Sequence, residues 1–247
     1  MNGDAISRLP SLGCLRDRIL QQQQQQRGGA RSANEGWQVD RNSGAYVLNP
    51  AGDLTATQTK FEQPLQDMLG WESTVGREPT EDDMKAYLET RGLFLYFGHG
   101  SGSQYIRSRT IKQLDSCSVA LLMGCSSGAL TEAGEFEPYG TPINYMHAGC
   151  PALLATLWDV TDKDIDRFSY TVLEKWGLFR EHQKEASSSP VKRGAKQRGK
   201  SKAVIVKSTE SEPLSLDQAV ARGRDSCILK YLNGAAPVVY GIPAFLS

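Results

Sequence analysis

Two residues in this chain combine the type and the placement needed for nucleophilic chemistry: His99 in YFGHGSG and Cys125 in LLMGCSSG. Each follows directly on a glycine that ends an apolar run. Leu93–Phe97 leads into Gly98-His99, and Val119–Met123 leads into Gly124-Cys125. A thiol beside an imidazole is a nucleophile beside its base, and the cationic imidazole favours the reactive thiolate. Short apolar runs closed by glycine read as buried strands. The intervening stretch, 98–118, has room for a crossover with a short helix, which parallel neighbours require. Adjacent parallel strands would end roughly 5 Å apart, and chemistry in open α/β sheets gathers at such ends. The small residues around Cys125 (Gly124, Ser126, Ser127, Gly128) would let a substrate backbone approach closely.

Taken singly, each residue has a plainer reading: Cys125 as an inert buried thiol, His99 as a turn histidine. A phosphate-binding loop at GHGSG lacks the GxxxxGK[ST] pattern. A zinc site from His99, Cys117, Cys125 and Cys150 lacks short paired spacing. Cys117 and Cys150 also precede strands, so they belong at the opposite end. No metal and no cofactor is expected. Equivalent positions after consecutive strands favour a Cys–His dyad over packing. His147 reads as helix surface or core edge, and His182 as solvated.

Around this pair the pattern alternates strand and helix. A strand at 45–48 ends at Asn49-Pro50, and a helix from Thr55 or Thr57 runs to Leu69, with Phe61, Leu65, Met68 and Leu69 on one face. A short strand is expected at 71–76. Pro79-Thr80 opens a helix stopped by Gly92. After the central strands come a helix over 139–149, a strong strand over 152–158, and a long helix to about Phe179. A helix over 214–232 and a strand over 237–242 close the chain. This order predicts an α/β three-layer sandwich with a mostly parallel sheet between helices. The acidic run DVTDKDID starts where the third strong strand ends. Asp162 and Asp164 read as capping and solvated residues at a helix N-terminus. Asp159 or Asp166 could line a pocket for a basic side chain, because a carboxylate pairs with arginine bidentately.

Residues 1–36 read as a short amphipathic helix followed by a Gln-rich linker, Gln21–Gln26 being low complexity. Residues 37–247 form the folded domain, with a mobile insertion at 182–212 rich in Ser, Lys, Arg and Glu. The basic run from Lys192 to Lys207 reads as a solvated linker. The chain has 247 residues, 39% of them hydrophobic, which supports a sizeable core. Its formal net charge of zero argues against direct nucleic-acid binding. No apolar run reaches the length of a membrane span, and the first residues lack the apolar stretch of a signal peptide. Five cysteines without paired spacing point to a reducing compartment.

YFGHGSG, LLMGCSSGAL, AGCPALLATLWDVTDKDID and YLNGAAPVVYGIP, in that order, resemble the protease domain of separase, a family of caspase-like cysteine endopeptidases. The resemblance runs from about Ala45 to Pro243, excluding 182–212. It implies a caspase-like sheet and a dyad with Cys125 as nucleophile and His99 as its partner. It also implies cleavage after arginine in a Glu-x-x-Arg context. The implied substrate is the kleisin subunit of cohesin, cut at anaphase onset, and the implied inhibitor is securin. Nucleus and cytoplasm are the corresponding locations. On this reading the N–H groups of Gly100 and Cys125 form the oxyanion hole. Asp166 is the first choice for the arginine pocket and Asp159 the second, with Trp158 and Met123 as walls. The alternatives are another caspase-like peptidase and a catalytically silent peptide-binding module.

Overall fold

The computed structural model describes residues 5–28, 36–179 and 213–247; the segment expected to be a mobile insertion, 182–212, lies outside them. In chain order the elements are β1 (Ser7–Arg8), α1 (Leu12–Gly28), β2 (Trp37–Val39), β3 (Gly44–Leu48), α2 (Thr55–Gln66), β4 (Glu72–Val75) and α3 (Glu81–Thr90). Then follow β5 (Leu93–Phe97), α4 (Ser108–Lys112), β6 (Val119–Leu122), β7 (Thr131–Ala133), β8 (Phe136–Tyr139) and α5 (Thr141–His147). The last are β9 (Ala152–Thr156), α6 (Asp162–Trp176), α7 (Leu216–Gly223), β10 (Pro237–Gly241) and β11 (Ala244–Leu246).

Seven strands form the central sheet in the order β1-β10-β9-β6-β5-β3-β4. From β9 to β4 every neighbour is parallel; β10 runs antiparallel to β9, and β1 follows β10. Strand residues alternate between two cores, as a period of two requires. Leu48, Leu95, Phe97, Leu121 and Leu154 pack with α2, α6 and α7 on one face. Val47, Phe94, Tyr96, Leu122 and Leu153 pack with α3, α4 and α5 on the other. Strands β3, β5, β6 and β9 are buried along their whole length, which is why they read as continuous apolar runs. The expected three-layer α/β sandwich is therefore the observed one. The capping box at Thr80, whose hydroxyl accepts from the Asp83 N–H at 3.1 Å, starts α3 where Pro79-Thr80 predicted it.

Several elements differ from expectation. Gln21–Gln26 continues α1 rather than forming a linker. Glutamine is an adequate helix former, and the Gln25 side chain ties the helix to β2. It donates to the Gln38 carbonyl at 2.8 Å and accepts from the Gln38 N–H at 3.2 Å. The apolar residues of α1 do not make a buried stripe: Leu12, Ile19 and Leu20 are exposed, while Arg18 is buried and donates to the Met146 carbonyl. Helix α2 ends at Gln66, which leaves Leu69 exposed. Tyr139 belongs to an exposed hairpin, β7–β8, and not to the helix that follows. Residues 244–246 pair with β2 in a small parallel sheet.

The largest departure is at 214–232, expected as one helix. Helix α7 stops at Gly223, where a Cβ would lie 2.7 Å from Val172 Cγ2 of α6. Beyond a single 3₁₀ turn at Arg224–Ser226, the chain donates its N–H groups to a side chain. Asp164, expected to be solvated, is 2% exposed and accepts from the N–H of Ile228 and of Leu229, each at 3.0 Å. It also accepts from the Asn233 amide at 2.9 Å and from Arg167 at 2.8 Å. Burial pushes its carboxyl up, but these donors outweigh it and hold the group down at about 2.

Asp164→Ala should lower unfolding stability by roughly 3 kcal/mol in urea titration, because two backbone donors and Asn233 lose a charged acceptor. The depressed carboxyl sets the sign of the pH effect. Its contribution is complete above the unfolded value near 4 and is lost as pH falls from there towards about 2. The variant's deficit should therefore shrink over that acid range.

Candidate active site

The strands β5, β6 and β9 end on one side of the sheet, and the turns that follow them meet. Residue pairs across β5 and β6 run from Leu93↔Val119 to Tyr96↔Leu122. The same offset carries Gly98 to Gly124 and His99 to Cys125. The two turns touch at their glycines: a Cβ on Gly124 would lie 2.4 Å from the Gly98 carbonyl oxygen and 2.1 Å from that of Gly100. Only glycine fits there.

The Cys125 turn is fastened to β9. Ser127 Oγ donates to the Leu122 carbonyl at 2.8 Å and accepts from the Thr156 N–H at 3.0 Å. Thr156 Oγ1 donates to the Gly124 carbonyl at 2.6 Å. Ser126 follows the cysteine with a left-handed φ of 53°, an uncommon conformation for a residue with a Cβ. It is held by its N–H to the Trp158 carbonyl at 3.3 Å and by Oγ donating to Asp159 Oδ1 at 2.6 Å. The half-buried Cys125 thiol donates to the Val160 carbonyl at 3.2 Å. The His99 turn is held from the sheet. Tyr96, fully buried, donates its hydroxyl to the His99 carbonyl at 2.9 Å. On its exposed side the His99 ring bonds Asp53, with Nε2 2.8 Å from Oδ2.

A narrow pocket opens between the turns, bounded by Leu54, Thr57, Gly98, His99, Met123, Gly124, Cys125, Asp162, Ile165 and Asp166. His99 and Cys125 thus face one cavity, together with Asp166 and Met123. Asp166 is 7% exposed, and both its oxygens accept from Thr57 Oγ1, at 3.1 and 3.0 Å. Burial pushes its carboxyl up from the ordinary range, against the Thr57 hydroxyl and the charge of Lys60, which act the other way. Asp159 is not brought to this pocket, because Ser126 engages it outside. Nor is Trp158, whose indole N–H turns to the Leu232 carbonyl at 3.0 Å. Among the described residues no backbone carbonyl accepts from the N–H of Gly100 or Cys125. Cys117 and Cys150 lie at the other end of the strands, where the Cys150 thiol bonds the carbonyls of Ser118 and Ala152. Asp53 escaped the sequence reading, and Thr57 entered it only as a possible helix start. Neither sits in a motif; only the strand end at Asn49-Pro50 hinted that the residues after it would border the same crevice.

The protein-family model described as "Separin, protease domain" matches residues 1–165. Separin of Emericella nidulans is 53% identical over 98% of this chain, and separin of Schizosaccharomyces pombe is 46% identical over 100% of it. The chain spans only 10% and 12% of those two proteins. A crystal structure of the Saccharomyces cerevisiae separase–securin complex superposes over 100% of this chain and 14% of its own, with a TM-score of 0.80 at 34% identity. A complex of the pro- and mature domains of Porphyromonas gingivalis RgpB shares the fold, with a TM-score of 0.51 at 14% identity over 83% of this chain and 48% of its own. With a family match over most of its length and two relatives near half identity across nearly all of it, the chain belongs to the separin protease-domain family.

Proposed function

We propose that this chain is the catalytic domain of a cysteine endopeptidase that cuts after arginine. The observation that carries the reading is the shared pocket, which Cys125, His99 and the buried Asp166 all line. Cys125, as thiolate, attacks the carbonyl carbon on the C-terminal side of the arginine. The resulting oxyanion meets the N–H groups of Gly100 and Cys125, where one donor is worth roughly 3 kcal/mol. His99, as imidazolium, gives its proton to the departing amine, and an acyl-thioester remains. Water, deprotonated by His99, attacks the thioester; the carboxylic acid leaves and the thiolate is restored.

Asp166, which lines the pocket, receives the arginine guanidinium. Thr57 fixes both its oxygens, and Met123 supplies an apolar wall. The charged pair suits a site where burial disfavours a lone carboxylate. Asp159 and Trp158 have no part in this pocket.

The substrate we infer is the kleisin subunit of cohesin, cut in a Glu-x-x-Arg context at anaphase onset. Family membership and the four sequence motifs support it. Securin is the inhibitory partner by the same reading, supported by the related separase having been solved in complex with securin. Action on chromosomes would place the protein in the nucleus as well as the cytoplasm.

An arginyl acyloxymethyl ketone should label the wild-type protein at Cys125 and leave Cys125→Ser untouched. A wild type that iodoacetamide modifies but the ketone does not would remove the peptidase reading. Asp166→Ala should cut turnover of arginine peptides by about 100-fold or more, with iodoacetamide reacting at an unchanged rate; equal loss of both would exclude Asp166 from the pocket. Because burial raises the Asp166 carboxyl, arginine affinity should fail on acidification at a pH above the ordinary aspartate value. Gly124→Ala should abolish labelling, since its Cβ would force the backbones of the two turns apart.

A further inference from the structure

We propose that Asp53 is the positioning residue for His99: its carboxylate holds Nε2 and so leaves Nδ1 to serve Cys125. This inference rests on the dyad reading above. A carboxylate only accepts hydrogen bonds, so the ring nitrogen 2.8 Å from Asp53 Oδ2 carries the proton. In the neutral ring the lone pair then belongs to Nδ1, and that is the nitrogen able to take a proton from a thiol. His99 lines the pocket with Cys125 and Asp166, whereas Asp53, on Nε2 of its ring, does not. An outer carboxylate on one ring nitrogen is the arrangement in which a third group orients a base.

Asp53 is delivered by a built turn. Asn49, 2% exposed and with a left-handed φ of 51°, ties that turn to the end of β5 through its N–H to the Phe97 carbonyl at 2.8 Å. On one side of Asp53 the Gly52 N–H donates to the Asn49 carbonyl at 3.1 Å. On the other the Leu54 N–H donates to Asn49 Oδ1 at 2.8 Å. The Asn49 amide is itself fixed to Gln58 Oε1 at 2.8 Å. Pro50 lies against Gly98, where an added Cβ would come within 3.1 Å of its Cδ. The aspartate and the histidine are thus held to each other through β5, at neighbouring positions of one sheet edge.

The side chains of His99 and Asp53 are 56% and 59% exposed. The effect of losing the carboxylate is accordingly smaller than the ~10⁴-fold known for a buried triad aspartate. Asp53→Ala should lower kcat for an arginine peptide about tenfold and leave KM within about twofold. Asp53→Asn, which keeps an acceptor oxygen, should lose less. Nitrogen-15 NMR of the His99 ring in protein with Cys125 alkylated should show the proton on Nε2 in the wild type and a mixture of tautomers in Asp53→Ala. A proton on Nδ1 in the wild type, or an unchanged kcat in Asp53→Ala, would overturn the assignment. A wild type that neither cleaves nor takes the arginyl ketone would instead indict the dyad reading. The ring's tautomer would still report whether Asp53 holds it.

Discussion

Everything at the site depends on one constraint, the in-register parallel pairing of β5 with β6. Parallel neighbours with no bulge keep a constant residue offset, so whatever follows one strand lies beside whatever follows the other. Here the offset sets glycine against glycine and histidine against cysteine. The third parallel strand, β9, extends the same logic: it ends where α6 begins, and the first turns of that helix carry Asp162, Ile165 and Asp166 into the cavity. No loop has to reach across the molecule to assemble the site.

Helix α6 works on two sides of this arrangement. Its buried face, with Phe168, Val172 and Leu173, anchors it to the core. Its first turns hold two buried carboxylates with opposite fates. Asp164 is saturated with donors and ionised well below the usual range, whereas Asp166 has one hydroxyl and is pushed up by burial. The first organises the chain after α7; the second retains capacity for a cationic ligand. Two residues of one acidic run, separated by half a turn, are thus one saturated with donors and one lining the cavity.

The buried strands were legible because they are covered on both faces and so appear as unbroken apolar runs; that His99 and Cys125 line one pocket followed from their places just past two of them. Asp166 was legible as a candidate because its helix leaves the end of a third. What stayed hidden depends on distant partners. Gln21–Gln26 looked like a linker because nothing local shows Gln25 closing on the backbone of Gln38. Apolar spacing over 214–232 suggested one helix because the competing acceptor, Asp164, lies far upstream in sequence. Trp158 and Asp159 follow β9 directly, as His99 and Cys125 follow their strands, yet they are turned to Leu232 and Ser126. Adjacency to a strand end places a backbone; only the neighbours decide where the side chain goes.

The close contact of the Gly98–Gly100 and Gly124 backbones has a mechanical consequence. With no room for even a methyl group between them, the two turns behave as one rigid jaw, not as two movable halves. Parting Cys125 from His99 would mean parting main chain from main chain. Silencing such a centre is far easier by stoppering its entrance than by dismantling it.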